Sequence, residues 1–361
     1  RHSLAKAIDI GTAFIVGAEM RGGREIFTSE RDAFFSMPNE DFAEEMLSKA
    51  GAFYITKGDQ LYVVGEDALK FAMVTGQAEN YRRPMAAGVL NPGEEDAAAM
   101  IQVMIEGVIG RASFPGEVVA ATIPANPVDA SFDTVYHEMV LRRFLEGLGY
   151  EVKVINESLG IIFAENPTVT TNSGEVIPFS GIGISFGGGM VNLVAAYRAK
   201  QLVAFSAGRS GDWVDAQVAK VTNQPVSRVI GVKEKKLDFN NIDTSDRVLQ
   251  ALDIYYEDLI TYTLENFKVQ FKKQAASFDD PIEIVIGGGT SAPPGFIDKF
   301  KRVMKKVELP LTIKNVRAAK DPLKCVAAGA LIAAISQEKK NLAKKKKEEA
   351  AAGGGAAPAA Q

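Results

Sequence analysis

One cysteine, Cys325, in 361 residues leaves no disulfide framework and no cysteine-built zinc or iron–sulfur site. Two histidines, His2 and His137, are too few for a histidine metal site, and they leave little for a Ser-His-Asp triad. No apolar run approaches the ~20 residues that a membrane-spanning helix needs. The first residues lack the charged, apolar and small-residue succession of a secretory signal, so the expected compartment is cytoplasmic. The chain opens on Arg1 rather than Met, and its native start is expected upstream. With zinc and serine-hydrolase chemistry set aside, phosphate chemistry and pure binding move forward.

Basic charge is scarce where a nucleic-acid binder would need it. The formal net charge is −4. Beyond Gln337 six lysines stand against three glutamates, a balance of +3, which leaves the preceding body at −7. Such a body has no basic footprint with which to displace counterions, so no specific nucleic acid partner is expected. Positions 338–361, EKKNLAKKKKEEAAAGGGAAPAAQ, have no apolar face to bury and are expected to form a disordered Lys/Ala/Gly tail. Its lysines suit a partner protein or an anionic membrane.

At roughly 150 residues per domain the length predicts two domains. Strand-like runs at 6–10, 15–19, 118–123, 151–155, 181–184, 190–197 and 282–286 alternate with helical patterns at 94–109, 130–148, 245–276 and 322–335. The helical stretches carry apolar residues at three- and four-residue steps, as at Met100, Ile101, Met104 and Val108. This mixture predicts layered α/β architecture. The stretch 22–79 is irregular and reads as an insertion, and no repeat of 20–50 residues is found.

Two segments share one design. Ala7-Ile-Asp-Ile-Gly-Thr-Ala-Phe-Ile-Val-Gly-Ala-Glu19 is a strand, a tight Gly11-Thr12 turn and a second strand. Ile182-Gly-Ile-Ser-Phe-Gly-Gly-Gly-Met-Val-Asn-Leu-Val-Ala-Ala196 repeats that plan. Glycine turns let backbone N–H groups approach phosphate oxygens with no Cβ in the way. An acid ending the first strand, Asp9, suits the hydration shell of Mg²⁺. Either hairpin alone is better explained as an ordinary glycine turn. A third cluster, Ile284-Val-Ile-Gly-Gly-Gly-Thr-Ser-Ala292, ends a buried-type strand in three glycines on which a flat ligand surface can lie. No GxxxxGK[ST] segment exists, and Gly181, Gly183 and Phe186 fail the dinucleotide spacing, so P-loop and Rossmann sites are set aside.

Taken in order, IDIGT, INESLG, ISFGGG, VIGGGT and DPLKCVAAGALIAA resemble the phosphate, connecting and adenosine motifs of the actin-like ATPase superfamily, over about residues 6–334. The likeness is closest to the bacterial actin MreB and its relatives, through RRPMAAGVL, EVVAATIPA, AGRSGDWVDAQV and VKEKKLDF. The resemblance implies an α/β fold of two similar domains flanking a nucleotide cleft, each with a smaller inserted subdomain. Domain I would span 1–157, with an insertion at about 22–79 and a returning helix at 322–337; domain II would span 158–321, with an insertion at about 208–278. The implied ligand is ATP with Mg²⁺. Asp9 would organise the metal, Gly11, Thr12 and Ala13 would hold the β- and γ-phosphates, and Gly187, Gly188 and Gly189 would cradle them from the other side. Glu157 would position the attacking water, Lys233 and Glu234 would contact ribose and adenine, and Gly287, Gly288 and Gly289 would lie beneath them.

One position departs from the family pattern. Ser185 stands where an aspartate is usual, and it brings a hydrogen bond but no charge. The implied function is therefore a cytoskeletal, filament-forming ATPase with slow hydrolysis that assembles with itself head to tail. The alternatives are a non-enzymatic nucleotide-binding scaffold of the same fold and a small-molecule kinase; the kinase lacks a substrate-binding acid motif here. Elsewhere, His137 is expected to be a surface or half-buried structural residue, Cys325 a small hydrophobe packing a helix, and Trp213 an anchor for the smaller part of domain II. Phe34, Phe35 and Phe53 are expected in a core.

Overall fold

The computed structural model describes residues 3–132, 134–274 and 277–353. The chain starts as an antiparallel meander of β1 (Lys6–Ile10), β2 (Phe14–Arg21) and β3 (Arg24–Arg31). A small subdomain follows, made of β4 (Phe34–Pro38), α1 (Ala43–Lys49), β5 (Tyr54–Lys57), β6 (Gln60–Val64), α2 (Glu66–Thr75) and β7 (Tyr81–Arg82), its strands ordered β5-β6-β4-β7. The chain re-enters the main body through a short hairpin, β8 (Met85–Ala86) and β9 (Val89–Leu90). Then come α3 (Ala97–Ile109), β10 (Glu117–Ile123), α4 (Val135–Gly147) and β11 (Tyr150–Asn156). β10 lies parallel to β1 and β11 to β10, completing a five-stranded sheet ordered β11-β10-β1-β2-β3.

Helix α5 (Glu157–Glu165) leads into the second half, past the small hairpin of β12 (Val169–Thr170) and β13 (Val176–Ile177). A second meander of β14 (Gly181–Phe186), β15 (Val191–Tyr197) and β16 (Lys200–Ala207) is followed by three helices, α6 (Gly211–Thr222), α7 (Val226–Lys236) and α8 (Arg247–Lys273). The order then runs β17 (Ile282–Gly287), α9 (Phe296–Met304), β18 (Ile313–Ala318) and α10 (Cys325–Gly353). β17 is parallel to β14 and β18 to β17, giving a sheet ordered β16-β15-β14-β17-β18. Strand order and direction match the first sheet: a three-stranded meander with two parallel strands added beside its first strand.

The strand sequences explain the layering. β1 is covered on both faces, as parallel strands require. Ala5 and Ala7 face the small side chains of α10 (Ala327, Ala330, Ala334), and Ile8 and Ile10 face Ile101, Met104 and Ile105 of α3. In the second half one continuous core joins Ile184, Leu193 and Ile286 of the sheet to Val214, Val229, Leu252 and Tyr256 of the three inserted helices. Helices α5 and α10 cross between the two sheets at a pair of glycines. A methyl on Gly160 would sit 2.8 Å from Val326 O, and one on Gly329 would fall inside the van der Waals shell of Gly160 O.

Two boundaries differ from the sequence expectation. The insertion assigned to 22–79 begins later, because residues 24–31 form β3 and pair with β2 along its whole length, from Phe14–Arg31 to Arg21–Arg24. The returning helix expected at 322–337 runs as α10 from Cys325 to Gly353, so 338–353 is helical rather than a disordered tail. Ala, Lys and Glu are strong helix formers, and the segment needs no apolar face to continue a helix already anchored upstream. The remainder of that expected tail, 354–361, lies outside the described residues. Phe34 and Phe35 are in the core as expected, whereas Phe53 is exposed.

Candidate functional site

The two meanders bring their first turns face to face. In the first, Gly11 N donates to Phe14 O at 2.9 Å; in the second, Gly187 N donates to Met190 O at 3.0 Å, the same closure at the equivalent place. A methyl on Gly188 would lie 2.8 Å from Ala13 Cβ, so the turns approach across the cleft at backbone distance. The carbonyls of the second turn point backwards: Gly187 O accepts from Gly211 N (3.2 Å) and Thr290 Oγ1 (3.0 Å), and Gly188 O from Asp212 N (2.8 Å) and Ser210 Oγ. The start of α6 thus holds this turn. At the end of β17, Gly288 has φ 89°, and a Cβ there would collide with the Phe186 backbone, so only glycine fits. Between these segments lies a cavity of about 380 Å³, in the size range of small-molecule sites.

Behind the turns two half-buried carboxyl groups stand together. Asp9, at the end of β1, accepts a hydrogen bond from Thr122 Oγ1 at 2.6 Å. Glu157, the first residue of α5, is held at both oxygens: Ser185 Oγ donates to Oε1 at 2.7 Å and Asn192 Nδ2 to Oε2 at 3.1 Å. Asn192 is fixed in turn by Ala125 N, which donates to its Oδ1 at 2.9 Å. Burial raises the pKa of Asp9, partly offset by the Thr122 bond. Burial and then the nearby Asp9 charge raise that of Glu157, with the Ser185 bond opposing. Among the described residues no positively charged side chain is hydrogen-bonded to either carboxyl. Among the described residues no three His, Cys, Asp or Glu side chains form a metal cluster. A pair of half-buried acids short of positive charge, with few protein ligands, suits a hydrated Mg²⁺ completed by phosphate oxygens better than a dedicated metal cage.

Farther along the cleft the halves are joined by ion pairs. Arg31, at the end of β3, is buried between Glu66 (2.7 Å) and Glu234 of α7 (2.5 Å), its guanidinium 4.7 Å from the Phe14 ring centre. Arg83 pairs with Asp212 at the start of α6. Lys233 donates to Asp215 Oδ2 at 2.7 Å. Lys233 and Glu234 line the cavity, each already engaged by a protein partner. Ile230, Leu237, Tyr256 and Pro293 supply an apolar wall at this end.

Asp9, Gly11, Thr12, Ala13, Glu157, Ser185, Gly187, Gly188, Gly189, Lys233, Glu234, Gly288 and Gly289 all border this one cavity. Gly287 does not. It is buried at the end of β17, where a Cβ would strike Cys325 Sγ, and its role is to let α10 pack close. Sequence reasoning did not assign Arg31, Arg83, Asp212 and Asp215 to the site. Asp212 and Asp215 sit in the quoted AGRSGDWVDAQV stretch, but nothing local marks them as facing arginines and lysines distant in sequence. Trp213 lies outside the cavity, edge-on to Tyr255 (5.7 Å between ring centres), as an anchor should.

His137 is buried rather than half-exposed, and its Nδ1 accepts from Leu90 N at 3.2 Å, tying α4 to the β8–β9 hairpin beside the cleft. Burial lowers its pKa to about 4 from the ordinary 6.5. The unfolded chain takes up this proton first, so stability is lost as pH falls from the unfolded value towards the folded one, by up to ~3 kcal/mol. His137→Asn, which keeps an acceptor near Leu90 N, should flatten the dependence of melting temperature on pH between about 6.5 and 4. An unchanged slope would mean that other groups cause the acid sensitivity.

Two matched sheets, two facing turns and a pair of glycine-crossed helices define the actin-like ATPase fold. Solved structures share it across nearly the whole chain. "MamK double helical filament" has 17% identity and a TM-score of 0.61, covering 92% of this chain and 99% of that one. MreB5 of Spiroplasma citri bound to AMPPNP has 16% identity and a TM-score of 0.62, covering 96% and 99%. The ethanolamine utilization protein EutJ from Carboxydothermus hydrogenoformans has 14% identity and a TM-score of 0.52, covering 90% and 89%. No curated protein sequence matched. The family described as Volactin matches residues 4–334, and the chain belongs to it.

Proposed function

We propose that this protein binds ATP with Mg²⁺ in the interdomain cleft, hydrolyses it slowly and assembles head to tail into filaments. The observation that carries the nucleotide reading is the pair of equivalent glycine turns facing each other in front of Asp9 and Glu157. Backbone amides at Gly11, Thr12 and Ala13 and at Gly187, Gly188 and Gly189 would hold the β- and γ-phosphates from two sides. Asp9 would hold the hydrated Mg²⁺, which supplies charge neutralisation on those phosphates. Glu157, immobilised by Ser185 and Asn192, would orient a water in line with the γ-phosphate, the main demand of a loose phosphoryl-transfer transition state. The MreB5 structures with AMPPNP and ADP and the MamK filament are consistent with this reading. Among the described residues no helix is long and apolar enough to cross a membrane.

A second reading, a scaffold that holds nucleotide without turning it over, is favoured by one feature. Ser185 occupies on β14 the place that Asp9 has on β1, two residues before the turn glycine, so one half of the site lacks its carboxylate. The readings separate in solution. A ligand bound only by the native state at a hundred times its Kd adds ~2.7 kcal/mol of stability. ATP–Mg²⁺ should therefore raise the melting temperature, and Asp9→Ala should remove most of the rise. No shift and no heat of binding would end the nucleotide reading. Pelleting with ATP, with ADP and without nucleotide, alongside negative-stain microscopy, decides between filament and scaffold.

A further inference from the structure

The first sheet has two opposite poles. β1 runs towards the cleft and ends beside Asp9; α10 runs the other way, from Cys325 at the cleft to the far edge of the sheet. Its last anchors are Glu338, which accepts from Leu4 N at 3.2 Å, and Asn341, whose Nδ2 donates to Glu151 at 2.8 and 2.9 Å, at the start of β11. From Leu342 to Ala352 every residue is exposed, and no hydrogen bond or ion pair ties this stretch to the body among the described residues. At 1.5 Å per residue it is a free rod of ~16 Å. Four consecutive lysines, Lys344, Lys345, Lys346 and Lys347, lie on it.

The other pole is the tip of the small subdomain. β3 arrives at the cleft with Arg31, and β4 continues past it to Pro38. There Phe42 is 79% exposed with φ 69°, a backbone conformation that bulky side chains rarely adopt, so its ring is displayed at some cost. Met46, 50% exposed, follows one turn later on α1. Glu40, Asp41 and Glu44 surround them, exposed and without an ion pair among the described residues, and Glu45 is paired with Lys49.

We propose that these poles are the two halves of one contact between copies of this chain: the lysine rod of one molecule lies across the Phe42 tip of the next. The inference rests on the filament reading and adds to it the residues that join subunits. The argument for a second copy is complementarity of charge together with placement. A cationic rod and an anionic tip sit at opposite ends of the same domain, so repeated displacement along one axis brings each rod to the next tip. Such a heterologous contact propagates without closing. Lysine stems would cover the Phe42 ring and Met46 while their ammonium groups reach the carboxylates. A lipid surface fits the rod less well, because its apolar residues are Leu342 and alanines, with no aromatic or bulky face to insert.

The test uses the full chain with ATP–Mg²⁺, read by sedimentation and negative-stain microscopy. One variant carries K344E, K345E, K346E and K347E; a second carries E40K, D41K and E44K; a third carries all seven. The rod variant should keep the wild-type melting temperature and ATP-induced shift. Each single-pole variant should raise the concentration needed for pelleting about tenfold or more, equivalent to ~1.4 kcal/mol per contact. The seven-fold variant should recover most of that loss. The proposal is overturned if wild-type filaments form and either reversed pole pellets normally, or if the combined variant shows no recovery. It is overturned equally if the rod variant loses only co-sedimentation with phosphatidylserine vesicles, which would make the lysines a membrane contact. A wild-type chain that stays monomeric removes the filament reading itself, and this contact with it.

Discussion

Gly329→Val is expected to yield little folded protein, and Gly329→Ala to cost ~3 kcal/mol or more, at the upper end of overpacking penalties. At most buried positions an added methyl is accommodated by a side chain that moves. At Gly329 it meets Gly160 O, Gly160 C and Gly160 Cα, all backbone of α5, so one of the two connecting helices has to shift. That shift would also disturb Glu157 at the head of α5 and the close packing of Cys325 on Gly287. Gly107→Ala on α3 is the matched control. A methyl there meets nothing within 4 Å, and replacing a glycine in the last turn of α3 should stabilise by up to ~1 kcal/mol. Thermal melts followed by circular dichroism give both numbers. Similar behaviour of the two variants would show that the helix crossing is not as tight as its geometry states.

Glu157→Gln is expected to leave ATP binding in place and to lower phosphate release about a hundred- to thousand-fold, the usual cost of removing one preorganised polar group from a reacting centre. Glutamine keeps the volume and one carbonyl oxygen, but its amide nitrogen has to face either Ser185 Oγ or Asn192 Nδ2, both of which donate to the native carboxylate. Ser185→Asp is expected to act in two directions. Without ligand it would set a second carboxylate where a hydroxyl now donates to Glu157 at 2.7 Å, and the melting temperature should fall. If Mg²⁺ is held at Asp9 as proposed, the added charge would help hold it, so the loss should be recovered with ATP–Mg²⁺ and turnover should rise above wild type. Single-turnover phosphate release and melting with and without Mg²⁺ separate the two effects. Wild-type turnover that is indifferent to Glu157→Gln would show that another group handles the water.

The framework was legible where an apolar run ends at a glycine turn. β1 falls at 6–10 as read, and the runs before Gly187 and Gly288 mark β14 and β17. β3 was not legible, because REIFTSER is an edge strand exposed along most of its length and shows no apolar stripe. Its signal lay in Gly22 and Gly23, both at positive φ, the pair that turns β2 back on itself. The glycine turns and the neighbouring Asp9 that border the cavity could be read from the sequence, because they act locally. The clasps Arg31–Glu234 and Arg83–Asp212 join residues 203 and 129 positions apart, and only the folded chain brings them together.

The glycine crossing of α5 and α10 has a mechanical meaning for how the two halves move. Helices that meet through interlocked side chains resist relative rotation, since each knob has to leave its hole before the next is reached. Here backbone rests on backbone, with no side chain at Gly160 or Gly329 to act as a tooth. At that point the contact sets how closely the two helices approach, while Ile161 of α5 packs against Cys325 and Val326 of α10 beside it. The rim adds a second tie that opening would have to break, from Arg31 and Arg83 of the first domain to Glu234 and Asp212 of the second.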